Sequence, residues 1–365
     1  MKYLNFGFIF LILGSIIGAG FASGKEIMVF FSGSGKFSFV TILISSIFLF
    51  FVIKNLICLG QTVKTTNIKI INEKLFKRSS KFFNFFILLG LFIFLTAMIA
   101  GLNSIGDVIF KNINFPILTI LSMLFSIFIV LNGFESIKKL NLILMPIVII
   151  FIVIVSVLAI TSKSINFEFQ TINFAVFLKY LMLGLFYISY NIVFASSLIF
   201  EKSKEFSKKQ IVFNLLFITI IFASIIILVN LAMIKFNYDC DMPMLYLAFN
   251  FGNILGLLFS FILWFSVLTS LISSLYMIVH AVNINKLVSC CLFLTLAFIF
   301  SFFGFSKIVN IIYPLEGIIC LIFIIKVFMF NKKTCEFSPK KPKKSKPKIV
   351  GFYAKQAIKR WLYQK

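Results

Sequence analysis

Five hydroxyls, on Ser266, Thr269, Ser270, Ser273 and Ser274, recur at three- and four-residue spacing. In a helix that spacing puts several of them on one face. They can bond back to carbonyls of their own helix. Alternatively, they can help line a dry pocket for a hard monovalent cation such as Na⁺, completed by carbonyls freed from a broken helix nearby. The chain offers such a break near its start. Residues 14 to 26 read Gly14-Ser-Ile-Ile-Gly18-Ala-Gly20-Phe-Ala-Ser23-Gly24-Lys25-Glu26, four glycines followed by a Lys-Glu pair inside one apolar run. Small residues four apart also serve plain helix packing. Ionisable residues within an apolar span are costly, however, and mark function. Lys25 and Glu26 are adjacent on a helix, face different directions and call for separate partners. A third polar cluster, Gly184 and then Tyr187-Ile188-Ser189-Tyr190-Asn191, sits inside another apolar run. Asp107 and Glu316 complete the candidate carboxylates.

The elements that must position these groups follow from composition. Of 365 residues, 61% are apolar and 13% charged, and 52 are Phe, a makeup suited to lipid contact. A hydrocarbon core about 30 Å thick needs about 20 apolar residues per helix. Ten such runs are expected, near 5–32, 37–59, 82–109, 115–132, 140–160, 175–200, 209–234, 253–282, 286–304 and 307–330. The fold class is therefore all-α and polytopic. With the N-terminus inside, fourteen basic residues fall in inner segments ahead of the tail. Five, Lys36, Lys111, Lys163, Lys235 and Lys307, fall in outer loops. The positive-inside rule then makes both termini cytoplasmic in a multi-pass protein of the cell membrane. Reading Met1 to about Ser23 as a cleaved signal peptide would leave nine spans, and the apolar run continues past the cleavage point to Phe31.

Ten spans divide into two sets of five, about residues 5–160 and 175–330, and an odd number gives the second set the opposite polarity. An inverted repeat becomes possible, its test being whether spans one and six are both interrupted. Residues 1–330 thus form one transmembrane domain and 331–365 a basic cytoplasmic tail. The tail carries Lys341-Pro342-Lys343-Lys344 and Lys346-Pro347-Lys348 and a net charge of +11. Tethered below a bilayer, it is expected to meet anionic lipid rather than nucleic acid, with Phe352 to Tyr363 as an interfacial stretch. The six cysteines show no C-x-x-C spacing, which argues against a disulfide framework. A membrane-embedded enzyme would need clustered catalytic groups. The one histidine, His280, supplies neither a metal set nor an acid-base pair, and no cofactor is implied.

Gly18-Ala-Gly-Phe-Ala-Ser-Gly-Lys-Glu26 followed by Phe30-Phe31 resembles the opening of the YkvI-like bacterial membrane proteins. These form an amino-acid permease group of the amino acid-polyamine-organocation superfamily. The likeness is strongest over residues 7–36 and extends through the ten-span layout to about residue 330. It implies the LeuT-type fold, a five-plus-five inverted repeat with helices one and six discontinuous around a central site. It also implies a secondary transporter working by alternating access, here an ion-coupled symporter of amino acids or similar small zwitterions. Gly14 and Ile17 resemble the carbonyls that hold a cation in sodium-coupled members. Leu268-Thr269-Ser270 resembles the motif whose hydroxyls, with the carbonyl matching Ser266, complete that site. Gly18, Ala19 and Gly20 resemble the backbone that receives a substrate carboxylate. Phe21 would shape the pocket's apolar side, and Tyr187, Ser189, Tyr190 and Asn191 would face the solute from span six. Two positions depart from the pattern. Lys25 stands where the group often has Gln, and Phe21 stands where some sodium-coupled relatives have a cation-binding Asn. Phe21 argues against a second sodium site, and Lys25 could itself replace sodium or serve a proton-coupled cycle. The resemblance still implies Na⁺ in preference to H⁺ as coupling ion, with Lys25, Glu26, Asp107 and Glu316 as gating or coupling groups. A non-transporting sensor or scaffold on the same fold is the rival reading, and the basic tail speaks for it.

Overall fold

The computed structural model describes residues 3–109, 116–162, 173–203, 206–236, 240–282 and 284–334. All regular elements among them are helical. In chain order they are α1 (Phe6–Ile16), α2 (Ala19–Ala22), α3 (Lys25–Phe30), α4 (Ser38–Val63), α5 (Ile68–Phe76), α6 (Ser80–Ile109), α7 (Ile117–Leu131) and α8 (Phe134–Thr161). There follow α9 (Phe174–Phe194), α10 (Ser196–Ser203), α11 (Lys208–Phe236), α12 (Pro243–Asn250), α13 (Asn253–Ala281), α14 (Lys286–Ser301), α15 (Phe305–Lys307) and α16 (Tyr313–Thr334). Among the described residues, seven helical segments are long and apolar enough to cross a membrane; three shorter apolar helices are α1, which precedes them, and α7 and α14, which lie between them. Each apolar run expected from the sequence carries a helix. The last one extends to Thr334, beyond the expected domain end at 330. The remainder of the basic tail, with its lipid-contact and interfacial-stretch readings, lies outside the described residues.

Local chemistry starts the helices where water or headgroups still reach. Asn5, Asn67, Asn173 and Asn285 each accept a backbone N–H at a helix N-terminus. Pro243 opens α12 at a position where a missing N–H costs nothing. Pro146 lies inside α8, a helix exposing Ile143, Ile147 and Ile150. Many large apolar side chains are exposed, among them Phe128, Leu121, Ile254, Ile299 and Phe302. An apolar surface of this extent is what hydrocarbon tails require and what water would not tolerate. Many serines, threonines and asparagines are turned inward instead, among them Ser45, Thr41, Asn141 and Asn230.

Helix pairing follows a regular pattern. α1 packs on α8, and α9 on α16; α4 packs on α11, and α6 on α13. α8 also packs on α11 and α13, and α16 packs on α4 and α6. α4 contacts α9 as α11 contacts α1. These pairs exchange with one another when each helix is replaced by the one five spans later.

Among the cysteines, Cys240, Cys290, Cys291 and Cys320 stand outside any disulfide. Cys58 is disulfide-bonded, a link that spacing alone did not suggest.

Candidate functional site

The first apolar run does not form one rod. α1 ends at Ile16, Ile17 takes φ −81°, ψ 77°, and α2 begins at Ala19. Ile17 N–H donates back to Leu13 O and Gly18 N–H to Ile16 O, leaving the last carbonyls of α1 without helical partners from beyond the break. A second break follows at Gly24, whose φ of 83° is a left-handed conformation that glycine adopts without strain. The Ser23 carbonyl stranded there accepts the Met244 N–H of α12 at 2.7 Å, so α12 is tied to the break.

α13 supplies partners for the carbonyls of the first break. Ser266 Oγ donates to Ile17 O at 2.8 Å and stands 3.4 Å from Gly18 O, and Ser270 Oγ donates to Gly14 O at 3.3 Å. Thr269 Oγ1 donates to Ser266 O at 2.9 Å. The residues expected to hold a cation, Gly14, Ile17, Ser266, Thr269 and Ser270, thus meet in one cluster, and all are buried. The other two hydroxyls of the series turn back on their own helix, Ser273 to Thr269 O and Ser274 to Leu271 O. Gly14 and Gly18 permit the approach. A Cβ at Gly14 would collide with Asn141 Oδ1, and one at Gly18 would lie 2.8 Å from Ser270 Oγ. Asn141, on α8, is a residue that the sequence reading missed. Its Oδ1 is buried without a hydrogen-bond partner beside Gly14, a further oxygen at the same spot.

The cluster on the sixth run behaves differently from expectation. α9 is helical without interruption through Tyr187–Asn191, and the chain turns only at Ala195, between α9 and α10. The reason is local: Ser189 Oγ donates to Leu185 O at 2.7 Å and Asn191 Nδ2 to Tyr187 O at 3.0 Å. Polar groups that satisfy themselves on the preceding turn do not force a helix open. Tyr187 and Tyr190 remain fully buried, and their hydroxyls have no hydrogen-bond partner.

These two tyrosines face Glu26 of α3, a residue only 2% exposed. Tyr313 of α16, also unnoticed in the sequence, joins them with its ring 4.9 Å from that of Tyr190 and its hydroxyl buried and unpartnered. Phe30 packs on both Tyr187 and Tyr190, at 5.3 and 5.9 Å between centroids, and Phe21 reaches the group through Phe222. Lys25 is buried as well, its backbone N–H bonded to Ser23 Oγ. Of Gly18, Ala19 and Gly20, expected to receive a solute carboxylate, two have close neighbours. The Gly18 N–H is taken by Ile16 O, and a Cβ on Gly20 would collide with the Glu26 carboxyl, which lies against that glycine.

The remaining carboxylates separate. Glu316 is buried one turn along α16 from Tyr313, its Oε2 against Gly90 and without a hydrogen-bond partner. Asp107 is exposed, on the wall of a cavity of about 510 Å³ lined also by Ser104, Asp241, Met242 and Tyr246. Asp241, missed in the sequence, accepts from Ser104 Oγ and from Ser306 Oγ and N–H, tying α6 to α15.

An all-helical membrane protein with a broken first helix clamped by a hydroxyl-bearing partner has the LeuT-type fold, and solved structures agree. MhsT, determined in complex with L-phenylalanine, superposes with a TM-score of 0.67 over 87% of this chain and 88% of its own, at 15% identity. A mutant manganese transporter of Eremococcus coleocola superposes with a TM-score of 0.56 over 89% of this chain and 78% of its own, at 16% identity. In sequence the chain is similar to the membrane protein YkvI of Bacillus subtilis strain 168, 24% identical over 331 residues that cover 86% of this chain and 92% of YkvI. The resemblance read from residues 18–31 therefore extends over most of both chains. No protein-family model matches the chain.

Proposed function

We propose that this protein is a secondary transporter that moves a small amino-bearing solute, an amino acid or similar zwitterion, across the cell membrane by alternating access, coupled to Na⁺ in preference to H⁺. Ten spans in two inverted sets of five, with both termini cytoplasmic, would carry it. The exchange of helix pairs under a shift of five spans supports the repeat, and the asymmetry of basic residues supports the orientation.

The observation that carries the reading is the meeting of Ser266 and Ser270 hydroxyls with the Ile17 and Gly14 carbonyls across the first break. Each oxygen satisfies a hydrogen bond there, and each hydroxyl can rotate to offer a lone pair instead. Na⁺ would be held by the carbonyls of Gly14, Ile17 and Ser266 and the hydroxyls of Thr269 and Ser270, with Asn141 Oδ1 as a further ligand. Bound there it would bridge α1 to α13, so occupancy would bias the angle between the two halves. Solved with L-phenylalanine, MhsT supports an amino-bearing cargo. The manganese transporter supports cargo translocation on this architecture. Uptake of labelled solute into proteoliposomes tests the reading: an imposed Na⁺ gradient should drive accumulation. Binding without accumulation favours a sensor.

A further inference from the structure

The Glu26 carboxyl is buried between α3, α9 and α16, and among the described residues it has no ion-pair partner. Its Oε2 and the hydroxyls of Tyr187, Tyr190 and Tyr313 are four buried polar atoms short of a well-formed hydrogen bond; the three rings are in contact in series, and Tyr187 and Tyr190 stand beside the carboxyl. Phe30 and Phe31 pack on the same tyrosine rings. A buried carboxylate without a counter-charge is expensive, and so is an unmatched hydroxyl. One ligand group answers all of these at once. A protonated amine supplies the counter-charge, up to three N–H donors for the carboxylate and phenol oxygens, and a cation for the aromatic faces.

A solute carboxylate is poorly received at the same place. The Gly18 N–H is already bonded to Ile16 O, and the Glu26 carboxyl lies against Gly20, where a Cβ would collide with it. A second carboxylate brought against Glu26 would add a buried negative charge with no counter-charge among Glu26 and the three tyrosines.

Resting on the transporter reading above, we infer that Glu26, with Tyr187, Tyr190 and Tyr313, is the ammonium-binding element of the solute site, so the cargo class is protonated organic amines and a carboxylate on the solute is dispensable. Glu26 is then a solute ligand rather than a remote gate. The amine's charge is neutralised by the protein's own carboxylate in the place where the resemblance predicted a substrate carboxylate.

Matched carbon skeletons test this on the purified full chain: phenethylamine with phenylalanine and 3-phenylpropionate, and isobutylamine with valine and isovalerate. Binding is followed by thermal shift and equilibrium dialysis, with and without Na⁺. The amines should bind at least as tightly as the amino acids, and the acids should not bind. Glu26→Gln, which keeps shape and hydrogen bonding, should weaken amine binding by about 30-fold or more, as for loss of one member of a buried charge pair. Tyr190→Phe, which keeps the ring, should weaken it by about tenfold, the loss expected for a hydrogen bond to a charged group. Full amine affinity in Glu26→Gln overturns the assignment. So does binding of the amino acids without the amines, which would leave the transporter reading standing. Binding by none of the six overturns the assignment too, and gradient-driven uptake of a wider solute panel then decides the transporter reading by itself.

Discussion

Ser266 and Ile17 meet although 249 positions separate them, and the hydroxyl spacing on α13 pointed to one half of that contact. The other half was legible in the glycines, since only a chain without Cβ at positions 14 and 18 lets α8 and α13 come so close. Removing two of the oxygens by Thr269→Ala with Ser270→Ala should raise the Na⁺ concentration for half-maximal uptake by about tenfold or more, given the loss of ligands in a dry site. An unchanged Na⁺ dependence would remove the cation site. Gly14→Ala should destabilise the fold by about 1–3 kcal/mol through overpacking against Asn141 and Met145. Adding Asn141→Ala should return part of that loss in thermal melts, because the two changes share one space. Asn141 stands near no other candidate in sequence, and Tyr313, though one turn from Glu316, carries no mark in the sequence that it meets Tyr190. Only the packing of α16 on α9, and of α8 on α1, brings them to the site.

At the scale of elements, the break in the first run was legible by position, whereas the sixth run turns at Ala195, past the polar cluster that pointed to it. Glycines at 14, 18, 20 and 24 state a backbone requirement directly, whereas Ser189 and Asn191 carry the same signal whether a helix opens or simply bonds to its own previous turn. The second break depends on one residue. Gly24→Ala would have to adopt the left-handed region at a cost of about 1–2 kcal/mol. Its new Cβ would also lie 2.7 Å from Met233 Sδ. We expect a lower melting temperature and loss of uptake, since α3 would no longer hold Glu26 under α9. Gly133→Ala is the control, at another left-handed glycine whose Cβ would meet nothing. It should melt lower by the backbone term alone while transport persists. Equal loss of uptake in both variants would argue that Gly24 matters only for folding.

For the whole molecule, composition made the membrane setting plain, because the apolar surface and the inward-facing serines and asparagines follow from one hydropathy pattern. The pairing of helices across halves left no trace in sequence identity, since packing constrains size and polarity rather than residue type. Orientation is tested by labelling. A membrane-impermeant maleimide should reach the half-exposed Cys240 in intact cells, and Cys240→Ser should abolish that signal, whereas a Ser345→Cys tail should label only after permeabilisation. Labelling of the tail in intact cells would reverse the proposed topology. The most direct test of the account is uptake of labelled solute into proteoliposomes under an imposed Na⁺ gradient, with wild type beside Thr269→Ala/Ser270→Ala. Accumulation above the external concentration that collapses with a sodium ionophore, and that the double variant loses at the same Na⁺, is the predicted result. Binding without accumulation, or accumulation indifferent to both Na⁺ and the double substitution, would contradict it.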